Sequence, residues 1–232
     1  MAGRQLDFYF DYLSPYAYFS WRWVQPMCKK YGLTLNAHPV VFGKLLDHWG
    51  QLGPAEVPPK KTALYKYCYR YAQLNGFDFD PPRSHPYNPL PALRLSLPDI
   101  AGDAQHQVIS AIFEAGWSRG IDLASEADLA NVLNSLGLNS GAMLSAIKTP
   151  EVKDQLQQET THAITRGVFG VPTFILDEEL FWGNDQQEHL EIYLQGNDPL
   201  DQQKVEEMLA RHRGIDRKTF ALRNKEKRVQ EK

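Results

Sequence analysis

The chain has 232 residues, a formal net charge of −3, 43% hydrophobic residues and 23% charged residues. That is enough chain to bury a core without disulfide staples, and too little positive charge for a nucleic-acid footprint. Its two cysteines, Cys28 and Cys68, form neither a C-x-x-C pair nor a zinc-type cluster, which argues against a dithiol redox centre and a cysteine-ligated metal.

Residues 5–10, Q-L-D-F-Y-F, are short and aromatic and predict a buried strand. Ser14-Pro15 marks a helix start, with serine at the N-cap and proline at the first helical position. Tyr16, Phe19, Trp23, Val24 and Met27 carry helical spacing toward Lys30, and Tyr31-Gly32 closes the helix. Residues 33–42 predict a second strand, parallel to the first across a right-handed connection. Residues 43–100 are rich in proline and predict one clear helix, over about 60–75. Helices follow at 104–119, 125–135, 140–147 and 150–166; Ser125 opens S-E-A-D, a loose capping box. From Gly167 the α/β texture returns. Pro172 opens a strand, Asp177-Glu178 makes a turn, and E-L-F-W forms the next strand. Two helices, 186–194 and 199–213, complete the pattern.

This order is that of an α/β, thioredoxin-like fold with an all-helical domain inserted after the second strand. Residues 1–43 and 156–214 make a discontinuous thioredoxin-like domain, and 44–155 the helical insertion. Residues 215–232 form a basic C-terminal tail, with seven Lys/Arg against three Asp/Glu, expected to fray in solvent. The N-terminus has no signal-peptide pattern, and no apolar run approaches the ~18 residues that would span a bilayer. A cytoplasmic protein with no nucleic-acid or membrane partner is expected.

Ser14 follows a strand at a helix N-terminus, where unpaired N–H groups and the helix dipole stabilise an anion. Simple capping explains the same residue, and the two roles are compatible. Gly170-Val171-Pro172-Thr173 suits a cis proline that presents the preceding backbone, or an ordinary strand-entry proline. Phe181-Trp182-Gly183-Asn184-Asp185 offers side-chain oxygens and N–H groups for an amino-acid head group, or again a cap. Lys60-Lys61 is a candidate cation beside a carboxylate. His48, Trp49, His85, Tyr87 and Asn88 are candidates to line a pocket for a flat aromatic ligand. The seven histidines lack metal-site spacing, so no metal is expected.

F-Y-F-D-Y-L-S-P-Y-A-Y, P-P-K-K, N-P-L-P-A-L-R, G-V-F-G-V-P-T-F and F-W-G-N-D-Q together resemble the 2-hydroxychromene-2-carboxylate isomerase family. That family is related to kappa-class glutathione transferases and to DsbA-like thioredoxin folds. The resemblance spans roughly residues 5–213. It implies a glutathione-dependent isomerase of conjugated aromatic acids, active as a homodimer. It assigns Ser14 to the glutathione sulfur and Val171, before Pro172, to the cysteinyl backbone. Trp182, Gly183, Asn184 and Asp185 take the head group, and Lys60, or else Lys61, the glycyl carboxylate. Leu46, Asp47, His48, Tyr87 and Asn88 fall near the aromatic substrate. Where the family often has arginine after Asn-Asp, this chain has Gln186, losing a charge contact or an ion pair. Competing expectations are a kappa-like transferase or peroxidase and a thioredoxin-fold binding or chaperone-like protein without turnover.

Overall fold

The computed structural model describes residues 3–212 and 214; the basic tail 215–232 lies outside the described residues. In chain order the elements are β1 (Gln5–Phe10), α1 (Pro15–Tyr31), β2 (Thr34–Pro39), α2 (Phe42–Trp49), α3 (Pro58–Asn75), α4 (Leu90–Leu95), α5 (Pro98–Ala101), α6 (Gln105–Arg119), α7 (Glu126–Ser135), α8 (Ser140–Ala146), α9 (Pro150–Thr165), β3 (Thr173–Leu176), β4 (Glu179–Trp182), α10 (Gln187–Leu194) and α11 (Gln202–Leu209). One compact unit runs to Leu194 and a second, holding α11, begins at Gln195. Among the described residues no helix is long and apolar enough to cross a membrane.

The sheet order is β2-β1-β3-β4, with β1 and β2 parallel and the other pairings antiparallel. The strand period of two divides β1 between two cores. Leu6, Phe8 and Phe10 face the larger one, where Phe8 lies 5.2 Å from Phe174 and 5.6 Å from Trp21, ring centre to ring centre. Tyr9 faces the smaller one with Val40, Leu45, Ala163 and Ile175. Helices therefore cover the sheet on both faces, with α1 on one side and α9 on the other, as a thioredoxin-like fold requires.

Asp177 and Glu178 both adopt positive φ, 49° and 68°, in the two-residue turn that joins β3 to β4. Ser125 caps α7 by accepting from the Asp128 amide at 3.2 Å.

The proline-rich stretch is more helical than its sequence indicates. The second strand stops at Pro39, and residues expected to extend it open α2 instead. α4 and α5 add two further short helices, and the helix expected from Gln186 begins as a 3-10 turn at Asn184–Gln186.

Candidate active site

Ser14 is the N-cap of α1: its Oγ accepts from the Ala17 amide at 3.1 Å, and Pro15 occupies the first turn. The Ser14 hydroxyl donates to the Val171 carbonyl at 3.3 Å, a stretched bond for O–H···O. Val171–Pro172 is cis, as is His85–Pro86. The β1–α1 loop and the β3 entry thus meet at the hydroxyl of Ser14, a residue only 6% exposed.

Two cavities adjoin this point. The first, about 360 Å³, is walled by Leu13, Ser14, Phe42, Leu46 and His85, and by the contiguous segment 51–56. It is mostly apolar, with Asp47 and Glu56 among its ionisable lining residues. The second, about 420 Å³, is walled by Tyr67, Pro172, Trp182 and residues 183–186. Tyr16 and Val171 line both.

The second cavity is shaped by close approaches. A Cβ placed on Gly170 would lie 2.6 Å from Trp182 Nε1, and the Phe169 ring packs 4.8 Å from the Trp182 ring. Gly183 has φ +114°, a conformation open to glycine but strained for other residues. Asn184 is buried, and its Oδ1 accepts from Ser20 Oγ and Trp23 Nε1, each at 3.0 Å. Nδ2 is buried as well, so the side-chain oxygen expected from this segment falls to exposed Asp185. Gln186 also lines the cavity, and its Oε1 pairs with His189 at 3.1 Å.

The structure gathers Ser14, Leu46, Val171, Pro172, Trp182, Gly183, Asn184 and Asp185 around the two cavities. It does not bring His48, Lys60 or Asn88 to either wall: all three are exposed. The Tyr87 hydroxyl instead donates to the Tyr12 carbonyl at 2.8 Å, behind the β1–α1 loop. Lys61 is part-buried and donates to the His85 carbonyl at 2.8 Å, beside the first cavity. His85 Nε2 donates to the Leu13 carbonyl at 2.8 Å. Burial holds the His85 pKa below the ordinary value, outweighing that bond, so the ring is neutral at pH 7.

Three site residues escaped the sequence reading. Asp11 is fully buried and accepts from the Leu13 and Phe42 amides, each at 2.9 Å; burial pushes its carboxyl up to about 7 despite those bonds. Tyr16 and Tyr67 stand on α1 and α3 with ring centres 5.3 Å apart. Tyr16's position two residues after Ser14 was the available signal, since a side chain in the first helical turn stays near its cap.

A DSBA-like thioredoxin domain family model matches residues 5–195. The chain is 30% identical over 186 residues to a 2-hydroxychromene-2-carboxylate isomerase of Pseudomonas putida, covering 78% of this chain and 89% of the relative. It is 24% identical over 216 residues to glutathione S-transferase kappa 1 of Rattus norvegicus, covering 84% and 92%. A solved structure of 2-hydroxychromene-2-carboxylate isomerase superposes with a TM-score of 0.77 at 29% identity, covering 83% of this chain and 95% of the other. The chain belongs to the 2-hydroxychromene-2-carboxylate isomerase family of DSBA-like thioredoxin-domain proteins.

Proposed function

We propose that the protein is a glutathione-dependent isomerase that interconverts 2-hydroxychromene-2-carboxylate and trans-o-hydroxybenzylidenepyruvate, or a related conjugated aromatic acid. The observation that carries this reading is the position of Ser14: a hydroxyl at a helix N-terminus where two cavities of different chemistry adjoin. The first cavity has the apolar lining a flat aromatic ligand needs. The second offers a carboxylate at Asp185, the start of the 3-10 turn at Asn184 and an indole at Trp182, which suit the ammonium, carboxylate and peptide groups of glutathione.

Bound glutathione supplies a thiolate that adds reversibly to a conjugated carbon, turning a double bond into a single bond that rotates before elimination. The chain's residues make that chemistry accessible at neutral pH. An ordinary thiol has a pKa of about 8.5. The Ser14 proton, held by only a stretched bond to Val171, is free to turn toward the sulfur, and the α1 dipole favours negative charge in the same place. A depression of about two units corresponds to roughly 2.7 kcal/mol. Val171 carries the backbone contact to the cysteinyl part, and Pro172 fixes its direction. Gly183 supplies backbone, and Lys61, whose Nζ donates to the carbonyl of His85 in the first cavity's wall, the cation for a ligand carboxylate. Leu46 and Phe42 form the apolar wall against the aromatic ring. On the family resemblance we also propose a homodimer working in the cytoplasm.

The test is calorimetry with glutathione followed by turnover of either aromatic isomer. Saturable glutathione binding and isomerisation without net thiol consumption are expected. A glutathione conjugate or disulfide as product selects a kappa-type transferase or peroxidase instead. Absence of glutathione binding leaves the binding-protein reading.

A further inference from the structure

We propose that Tyr16 is a second hydrogen-bond donor to the sulfur of the bound thiol, acting beside Ser14; the proposal rests on the glutathione reading above.

The two cavities have only Tyr16 and Val171 in common among their lining residues. A sulfur carried by a ligand in the second cavity must pass this pair to reach a reactant in the first. Val171 has an apolar side chain, and its carbonyl already accepts from Ser14. Tyr16 is therefore the one shared wall residue whose side chain has a proton to donate. Its hydroxyl makes no hydrogen bond to any other described residue, whereas the Tyr12, Tyr18 and Tyr87 hydroxyls each do. The ring is not loose: it packs on Tyr67, with centres 5.3 Å apart.

The protonation state agrees with a donor role. Burial pushes the Tyr16 phenol up to about 12, and Cys68, Tyr67 and Asp185 act in the same direction. Tyr16 is thus a neutral phenol at pH 7, able to donate to an anion and unable to repel it. Its place two residues beyond the cap puts it in the first turn of α1, on the helix end that already favours negative charge. Binding breaks only the S–H bond: the thiol proton leaves to water, and the charge stays on a sulfur held by two hydroxyls. A hydrogen bond to a charged partner is about twice as strong as one between neutral groups, so losing one donor should be readable.

The experiment titrates the glutathione complex by the ultraviolet absorbance of the thiolate, in wild type and in Tyr16→Phe. The Phe variant keeps the ring and its packing on Tyr67. Its bound thiol is expected to have a pKa about one unit higher, a tenfold smaller thiolate fraction at a given pH below both values. Its affinity for S-methylglutathione, which has no thiolate to hold, is expected to match wild type. An unchanged thiol pKa in Tyr16→Phe overturns the Tyr16 assignment while leaving the glutathione reading intact. Failure of wild type to bind glutathione overturns both. Equal loss of affinity for glutathione and its S-methyl form also overturns it, because a packing defect then accounts for the variant.

Discussion

The Phe42 amide donates to one oxygen of the buried Asp11 carboxylate at 2.9 Å, while the Leu13 amide takes the other oxygen at the same distance. Leu13 and Phe42 both line the first cavity, so this carboxylate ties the Ser14 loop to the α2 wall. α2 has no side-chain cap from its own N-cap residue, Val41, and Asp11 supplies one from a distant part of the chain. In Asp11→Asn the carboxamide can accept from one amide while its NH2 opposes the other. At pH 8, above the Asp11 pKa of about 7, we expect kcat/KM for the aromatic substrate to fall about tenfold to a hundredfold, in line with the cost of one or two lost charge-assisted bonds. Glutathione affinity should change less than about threefold, since its cavity lies beyond Tyr16. Steady-state kinetics and calorimetry check both, and equal losses in the two would show general damage rather than a misplaced wall.

Ser14 is both a cap and the proposed thiol contact, and two variants separate the roles. Ser14→Ala should cost about 1 kcal/mol of stability through the lost cap. That is about 2–4 °C in Tm for a chain of this size. Glutathione-dependent turnover should fall by about a hundredfold, the usual order for one donor to a developing charge. Ser14→Gly preserves the cap to within a few tenths of a kcal/mol. It should nevertheless lose the same turnover. Unchanged kcat/KM in either variant removes the serine from the mechanism.

The parts of the fold legible in the sequence are those set by neighbours along the chain. The aromatic alternation of β1, the Ser14-Pro15 start of α1 and the Asp177-Glu178 turn are local signals, and each appears where its pattern indicates. α2 was concealed because Val40-Val41-Phe42 reads as strand and its remote cap lies thirty-one residues upstream. The second cavity was legible because Gly183-Asn184-Asp185 is contiguous. Tyr67 reaches the site only through tertiary packing, and so does the Asp11 bond to Phe42, which no spacing records. The segment around Asn88 has no period to assign faces, and His48 sits in α2, whose sequence reads as strand and loop, which is why both, exposed in the structure, looked as suitable as His85.

The Trp182 indole packs close over Gly170. Any Cβ there would meet Trp182 Nε1 at 2.6 Å, well inside contact distance. Trp182 is 51% exposed and can yield by swinging outward, so Gly170→Ala should cost less than about 1 kcal/mol in stability. The displaced indole would no longer wall the second cavity, and the glutathione Kd should rise about tenfold, or about 1.4 kcal/mol. Calorimetry reads the change directly. A Kd equal to wild type would mean that the indole is no part of the ligand's wall.

His38 links the sheet to α9 and makes stability depend on pH. Its Nε2 lies 3.3 Å from Asp7 Oδ1 and its Nδ1 3.2 Å from Glu159 Oε2, while its ring stacks on Tyr9 with centres 4.8 Å apart. Burial alone would lower the His38 pKa, but the two carboxylates outweigh it and raise it to about 9. Asp7 is desolvated, yet bonds from His38, Asn36 and Arg166 hold its carboxyl well below the usual range, and His38 likewise lowers Glu159. An imidazolium whose folded pKa exceeds its unfolded value of about 6.5 gives its full stabilisation below that value. The stabilisation is then lost as pH rises through about 9. The depressed carboxylates act oppositely, favouring the fold above about pH 4 and losing that effect as acid protonates them. His38→Asn should therefore be less stable than wild type by roughly 1–3 kcal/mol between about pH 4 and pH 6.5, with the gap closing toward about pH 9. Urea unfolding of both proteins across that range measures the gap, and a constant difference from neutral to alkaline pH would show that His38 contributes by packing on Tyr9 rather than by charge.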